Sequence, residues 1–163
     1  MSSIDARLKD LGIALPSPAA PVANYVAWTI CGSILTISGQ LPFGADGKLA
    51  ARFTGKVGGD VDDAAGREAA RQCAINVLAQ ARAALGDLAR IRRCQRLGGF
   101  IAAAPGFHAL PGVMNGASDL MVAILGEAGR HARSTVGVAE LPLNAAVEVE
   151  ASFEIAAGFE TTR

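Results

Sequence analysis

Apolar residues recur three or four positions apart through residues 62–85, where Ala70, Cys73, Ala74, Val77, Leu78, Ala81 and Leu85 form one stripe. Arg67, Glu68, Arg71, Gln72 and Gln80 fill the more polar side, so an amphipathic helix is predicted. Asp62 and Asp63 suit its positive N-terminal end, and Gly86 suits the left-handed position after a helix C-terminus. A second helix is predicted over residues 111–125, ended by Gly126 and Gly129. A short third runs from Ser3, its N-cap, to Leu11, with Ile4, Leu8 and Leu11 on one face and Gly12 as its stop. The "LPSPAAP" stretch (15–21) that follows is an extended connector.

Elsewhere the period shortens towards two. "NYVAWTICGSILTISGQLP" predicts two strands joined at Cys31-Gly32-Ser33. Residues 43–60 are Gly-rich and charged, a surface excursion with a short strand near Ala50–Phe53. "ARIRRCQRLGGFIAA" (89–103) is a strand. "ARSTVGVAEL" and "AAVEVEASFEI" are predicted as a final hairpin about Pro142–Asn144. In the last of these, Val147, Val149, Ala151, Phe153 and Ile155 point one way and Glu148, Glu150, Ser152 and Glu154 the other. Arg133 and Thr135 share one face of the strand expected beside it. The order, β-β-(β)-α-β-α-β-β after an N-terminal helix, predicts an α+β sandwich: a mostly antiparallel sheet with two helices on one face. Its other face must be polar or covered by another subunit.

Length and composition narrow this picture. A chain of 163 residues is expected to form one domain, 1–163, with residues 1–21 as a helical and Pro-rich extension. Aromatics are only 5% against 51% hydrophobic, so Ala, Val, Leu and Ile must fill the core by close packing. Lys+Arg and Asp+Glu are 15 each, so no net field attracts nucleic acid or an anionic membrane. A near-neutral, apolar-rich chain of this size also leans towards self-association. No apolar run reaches transmembrane length and no signal peptide is visible, which predicts a soluble, cytoplasmic protein. Cys31, Cys73 and Cys94 show no CxxC spacing and the two histidines, His108 and His131, form no ligand cluster. Free thiols and surface or hydrogen-bonded histidines are the expectation.

Three stretches carry a family resemblance: "YVAWTICGSILTISGQLP", "VMNGASDL" and "ARSTVGVAELPLNAAVEVEA". In this order and spacing they resemble the YjgF/RidA family, the imine deaminases also called L-PSP endoribonucleases, over roughly Tyr25 to Ile155. The N-terminal helix and the 43–60 excursion resemble a longer branch of that family. The resemblance implies a chorismate-mutase-like α+β fold, assembled as a homotrimer with ligand sites between subunits. It implies that Arg133 holds a substrate carboxylate, that Tyr25, Gly39, Asn115 and Thr135 line the pocket, and that Glu148 sits near the attacking water. The activity it implies is hydrolysis of 2-enamine or 2-imine acids to 2-keto acids and ammonia. The implied partners are a small-molecule carboxylate and further copies of the chain, with no metal or organic cofactor, no nucleic acid and no membrane.

Arginine's planar fork suits such a substrate, because it binds a carboxylate through two parallel hydrogen bonds. From the residues alone, other readings stay open. A strand arginine among glutamates makes a structural ion pair as readily. Glu148 is then a solvated or interface carboxylate, Tyr25 a core aromatic, Gly39 a turn or bulge glycine, and Asn115 a helix cap. Three departures from the shorter family members mark the chain. Thr135 stands where they commonly have cysteine, Glu140 where many have a basic residue, and one extra residue separates Asn115 from Arg133. The rival functions are a non-catalytic, carboxylate-binding trimer and an endoribonuclease. The latter lacks the basic patch and histidine pair that phosphate chemistry calls for.

Overall fold

The computed structural model describes residues 4–18 and 24–157. Strands β1 (Trp28–Cys31) and β2 (Ile34–Gln40) are followed by helix α2 (Asp63–Leu85), β3 (Ile91–Ala102), α3 (Leu110–Leu125), β4 (Ala132–Val138) and β5 (Val147–Ile155), with α1 (Ile4–Asp10) preceding them. The predicted cap of α1, Ser3, and residues 19–21 of the connector lie outside the described residues. The other helix signals hold. Asp62 caps α2 by accepting a hydrogen bond from the Ala65 N–H at 2.7 Å, and Gly86 follows its last turn at φ 74°. Both features satisfy backbone groups that the helix ends leave unpaired. Gly126 ends α3 at φ 66°.

The five strands form one sheet in the order β1-β2-β5-β3-β4. β1 and β2 are the predicted hairpin, with Gly32 at φ 59° in the turn. The predicted final hairpin is not formed. β4 pairs parallel with β3, and β3 lies between β4 and β5. The connector 139–146 is anchored away from a hairpin geometry. The Gly55 N–H bonds Asn144 O and the Ala146 N–H bonds Phe53 O at 2.8 and 2.9 Å, while Ala102 N–H bonds Ala146 O at 3.0 Å. These ties carry the chain across the end of β3 and deliver β5 to its far side. Leu143 and Asn144 both take φ 56° at the bend.

The predicted strand near Ala50–Phe53 is a 3-10 turn instead, closed by Phe53 N–H to Ala50 O and Thr54 N–H to Ala51 O. This turn swings the Phe53 ring into the core. Within the 43–60 excursion Phe53 and Val57 turn inward and are buried, while Gly58–Asp60 stay at the surface.

β5 occupies the middle of the sheet, and its alternation sets the two faces. Val147, Val149, Ala151, Phe153 and Ile155 are buried, while the residues between them are half-buried or exposed. Leu35, Ile37, Leu97 and Ile101 join them against Ala74, Val77, Leu78 and Ala81 of α2 and Met114, Ala117 and Met121 of α3. The core is built from small and medium side chains, so elements approach closely. At Gly116 of α3 an added Cβ would lie 1.9 Å from the Arg67 carbonyl oxygen of α2. That neighbour is backbone of a rigid helix and cannot rotate away. Gly116→Ala is expected to lower the unfolding free energy by about 2–3 kcal/mol, read as a reduced midpoint in urea or heat. A midpoint equal to wild type would show that the helices separate without strain.

Candidate functional site

The strand register decides where the chemically interesting side chains point. Arg133 pairs with Leu97, which pairs with Ala151, which pairs with Ile37. Residues in one cross-strand row share a face. Leu97, Ala151 and Ile37 are core, so Arg133 projects to the helix-covered side, at the edge where β4 has no further strand. Thr135 is in the parallel row Thr135, Gly99, Val149, Gln40 and shares that side. Glu148 pairs with Phe100, opposite Val136, and projects to the uncovered face. The expectation that Arg133 and Thr135 lie on a strand beside the carboxylates is therefore corrected. β3 intervenes, and its pleat assigns Arg133 and the carboxylates to opposite faces.

Two groups of residues result. In the first, Arg133 Nη1 donates to Asn115 Oδ1 and to Ser118 Oγ, both at 3.0 Å, and Nη2 is 3.5 Å from the Pro111 carbonyl. Ser118 Oγ also lies 3.0 Å from His131 Nε2, and His131 Nδ1 lies 2.6 Å from the Gly129 carbonyl oxygen. Asn115 and Ser118 are one helical turn apart, which puts both side chains on the α3 face that meets β4. Asn115 therefore receives the arginine and does not cap its helix, whose first residue is Leu110. Among the described residues, Arg133 Nε and Thr135 Oγ1 make no hydrogen bond, and the latter is shielded from solvent.

In the second group, Gly39 and Glu148 face each other across β2 and β5. A Cβ at Gly39 would come within 1.8 Å of Glu148 Oε1, so the absent side chain is what lets the carboxylate lie flat there. Glu150 sits two rows along on the same face and pairs with Arg96 at 3.0 Å, while Arg96 Nη2 donates to Ser134 Oγ at 3.2 Å. Burial, and secondarily the Glu150 charge, hold the Glu148 carboxyl above the usual glutamate range. A carboxyl that keeps its proton to higher pH is better matched to acid–base work near neutrality. Below it, the Cys73 thiol is raised well above its usual range by burial and then by Glu148. Burial pushes Cys94 up to about 12, and Cys31 is exposed. Buried thiols of this kind stay protonated and unreactive.

Tyr25 joins neither group. It is 52% exposed, in the bend before β1 at the sheet edge opposite β4. Four strand spacings separate those edges, roughly 19 Å. Three spacings, roughly 14 Å, separate Gly39 on β2 from Arg133 on β4. The structure thus brings Arg133 together with Asn115, and Glu148 together with Gly39, and leaves Tyr25 apart from both. The three family-like stretches do not by themselves single out Ser118. Its signal was the spacing Asn115-x-x-Ser118 on a helix that must face an arginine-bearing strand. Among the described residues, no group of three or more His, Cys, Asp or Glu side chains converges as a metal site, and no helix is long and apolar enough to cross a membrane.

Residues 5–155 match the protein family described as "YjgF/chorismate_mutase-like, putative endoribonuclease". Protein TCP17 of Trypanosoma cruzi is 46% identical over 153 residues, covering 93% of this chain and 94% of its own. The crystal structure of Atu1372 from Agrobacterium tumefaciens, a protein of unknown function, is 52% identical with a TM-score of 0.87, covering 94% of this chain and 92% of that one. A crystal structure from Shewanella oneidensis MR-1 is 36% identical with a TM-score of 0.91, covering 94% and 100%.

The raised Glu148 carboxyl has a consequence for stability. The folded state holds this proton more tightly than the unfolded chain, so its contribution is fully present below the ordinary glutamate range and lost as pH rises through the folded value. Glu148→Gln is expected to raise the thermal midpoint above wild type at neutral pH, with the gap closing as pH falls to the ordinary glutamate range. A gap that stays constant from acid to neutral pH would show that Glu148 is not held protonated.

Proposed function

This chain belongs to the YjgF/chorismate mutase-like family, and on that premise we propose that it hydrolyses 2-enamine or 2-imine acids to 2-keto acids and ammonia. The observation that carries this reading is the setting of Arg133. Both N–H groups of Nη1 are engaged by Asn115 and Ser118, while Nε is free of protein partners among the described residues and Nη2 has only the 3.5 Å contact to Pro111. The Nε–Nη2 edge is the one that receives a carboxylate side-on through two parallel hydrogen bonds. A guanidinium held in one plane before a ligand arrives loses little freedom on binding it.

With the carboxylate held there, the neighbouring C=N carbon is fixed relative to one water, and positioning supplies much of the rate. Water adds to that carbon, its proton passes to nitrogen, and the C–N bond breaks to release ammonia. For 2-iminopropionate the balance is imine plus water giving pyruvate plus ammonia. Glu148 is suited to move the proton, but within one chain it faces away from Arg133. The proposal therefore includes a second copy of the chain. The β4 edge of one copy would meet the uncovered sheet face of the next, in a homotrimer, so that Arg133 of one serves Glu148, Gly39 or Tyr25 of another. The exposed Val136 and the half-buried Phe100 give that face apolar surface to bury.

The separation of Arg133 from Glu148 also favours a second reading, in which the arginine binds small carboxylates without turnover. Phosphate chemistry on RNA is less well supported, because Arg96 on the uncovered face is already paired with Glu150, and Glu148 and Glu154 share that face. Freshly generated 2-aminoacrylate separates the two leading readings through keto-acid and ammonia release. Arg133→Ala is expected to reduce kcat/KM by about 100-fold, the scale of about 3 kcal/mol for a lost charged hydrogen bond, with Arg133→Lys recovering only part of it. Equal rates for wild type and Arg133→Ala would overturn the deaminase reading. Tight 2-ketobutyrate binding with no turnover would establish the binding-only one.

A further inference from the structure

His131 has no part in the reaction described above, yet it is joined through Ser118 to the central residue, Arg133. The protonation pattern of the group follows from its acceptors. The Gly129 carbonyl can only accept, so at 2.6 Å the hydrogen on that bond belongs to His131 Nδ1. A neutral imidazole protonated at Nδ1 has Nε2 as an acceptor, so the Ser118 hydroxyl donates to it across 3.0 Å. With its only hydrogen committed, Ser118 Oγ offers a lone pair, and the Arg133 Nη1–H across 3.0 Å is the donor that takes it. Each link fixes the direction of the next, from a backbone carbonyl to the guanidinium.

The starting point of this chain is itself held by packing. Gly129 lies so close to α3 that a Cβ there would fall 2.2 Å from the Met121 carbonyl oxygen. Only a glycine lets the backbone approach this near, and the approach places its carbonyl beside the imidazole. Asn115 supplies the second acceptor to Nη1 at 3.0 Å from one turn earlier on α3. The guanidinium has its Nη1 corner occupied from two sides and its Nε–Nη2 edge left for a ligand.

We propose that Ser118 and His131 are a positioning pair for Arg133: the imidazole aligns the serine hydroxyl, and the hydroxyl fixes which edge of the guanidinium faces a carboxylate ligand. This rests on the reading of Arg133 as a carboxylate anchor. The pair touches neither ligand nor reacting atoms; it selects a ligand that presents two coplanar oxygens to the Nε–Nη2 edge and disfavours end-on capture of a single oxygen. A hydroxyl without the imidazole is free to rotate and to turn its hydrogen towards the arginine.

The test has a spectroscopic arm and a binding arm, both on the full chain. Imidazole 15N shifts of His131 are expected to report Nδ1 protonated and Nε2 bare in wild type, with Nε2 losing its hydrogen-bond signature in Ser118→Ala. Titration with 2-ketobutyrate is expected to show Kd raised roughly tenfold in Ser118→Ala and roughly threefold in His131→Phe, with Ser118→Thr near wild type. Thermal midpoints are expected to stay together, since both side chains are only half-buried. An Nε2-protonated His131, an imidazole spectrum unchanged by Ser118→Ala, or a Kd unaffected by that substitution would overturn the pair. If wild type binds no keto acid, the anchor reading of Arg133 fails, while the imidazole spectrum still decides whether the pair is aligned as described.

Discussion

The burial of one face of β5, with a strand bonded along each of its edges, governs the remainder of the fold. It is the central strand of the sheet, bonded on one edge to β2 and on the other to β3. Its odd-numbered residues from Val147 to Ile155 are buried in one core cluster with residues of α2 and α3. A one-residue slip would drive Glu148, Glu150 and Glu154 into that core, at a cost no packing gain could offset. Once this register is set, the faces of β2 and β3 are set through their pairing. β4 follows through β3.

Close approach of backbone is the second condition, and it explains the composition. With few aromatics, the molecule fills its interior by bringing elements together over glycine. Gly116 rests on α2 and Gly129 on α3 at distances that no Cβ permits. On β3, Gly98 and Gly99 leave room for Glu150 on one face and Met114 on the other, and on β2 Gly39 leaves room for Glu148. These glycines shape the site as much as the charged residues do. They let a carboxylate lie across the uncovered face and let α3 sit close enough to β4 for Asn115 and Ser118 to reach Arg133.

The candidate site was only partly legible in the chain. Arg133 and Asn115 were singled out separately and do meet. Gly39 and Glu148 were singled out separately and also meet. The relation between the two pairs differs from the expected one, because a terminal hairpin puts β4 beside β5 whereas β3 lies between them. Pairing partners of strands are set by contacts between residues distant in sequence. Here these are the ties of 139–146 to Phe53, Gly55 and the end of β3, which local pattern does not encode. The same distance in sequence hid Ser118 and His131, whose partners lie on other elements. The Ala50–Phe53 turn was missed because Phe53 looks like a strand residue until the core that receives it is known.

Local pattern suffices for α2 and α3, for the five strands of the sheet, for Asp62 as a cap and Gly86 and Gly126 as stops, and for which side of β5 is core. These depend on neighbours within a few residues, where periodicity, glycine and capping chemistry act directly. It also carried the family in three short stretches. The strand order, the parallel docking of β4 on β3, and hence the face from which each side chain projects, arise only from long-range pairing in the folded chain. That face separates Arg133 from Glu148, because side-chain direction in a sheet alternates with every residue and passes from strand to strand through register. Neither quantity exists until residues far apart in the chain have met.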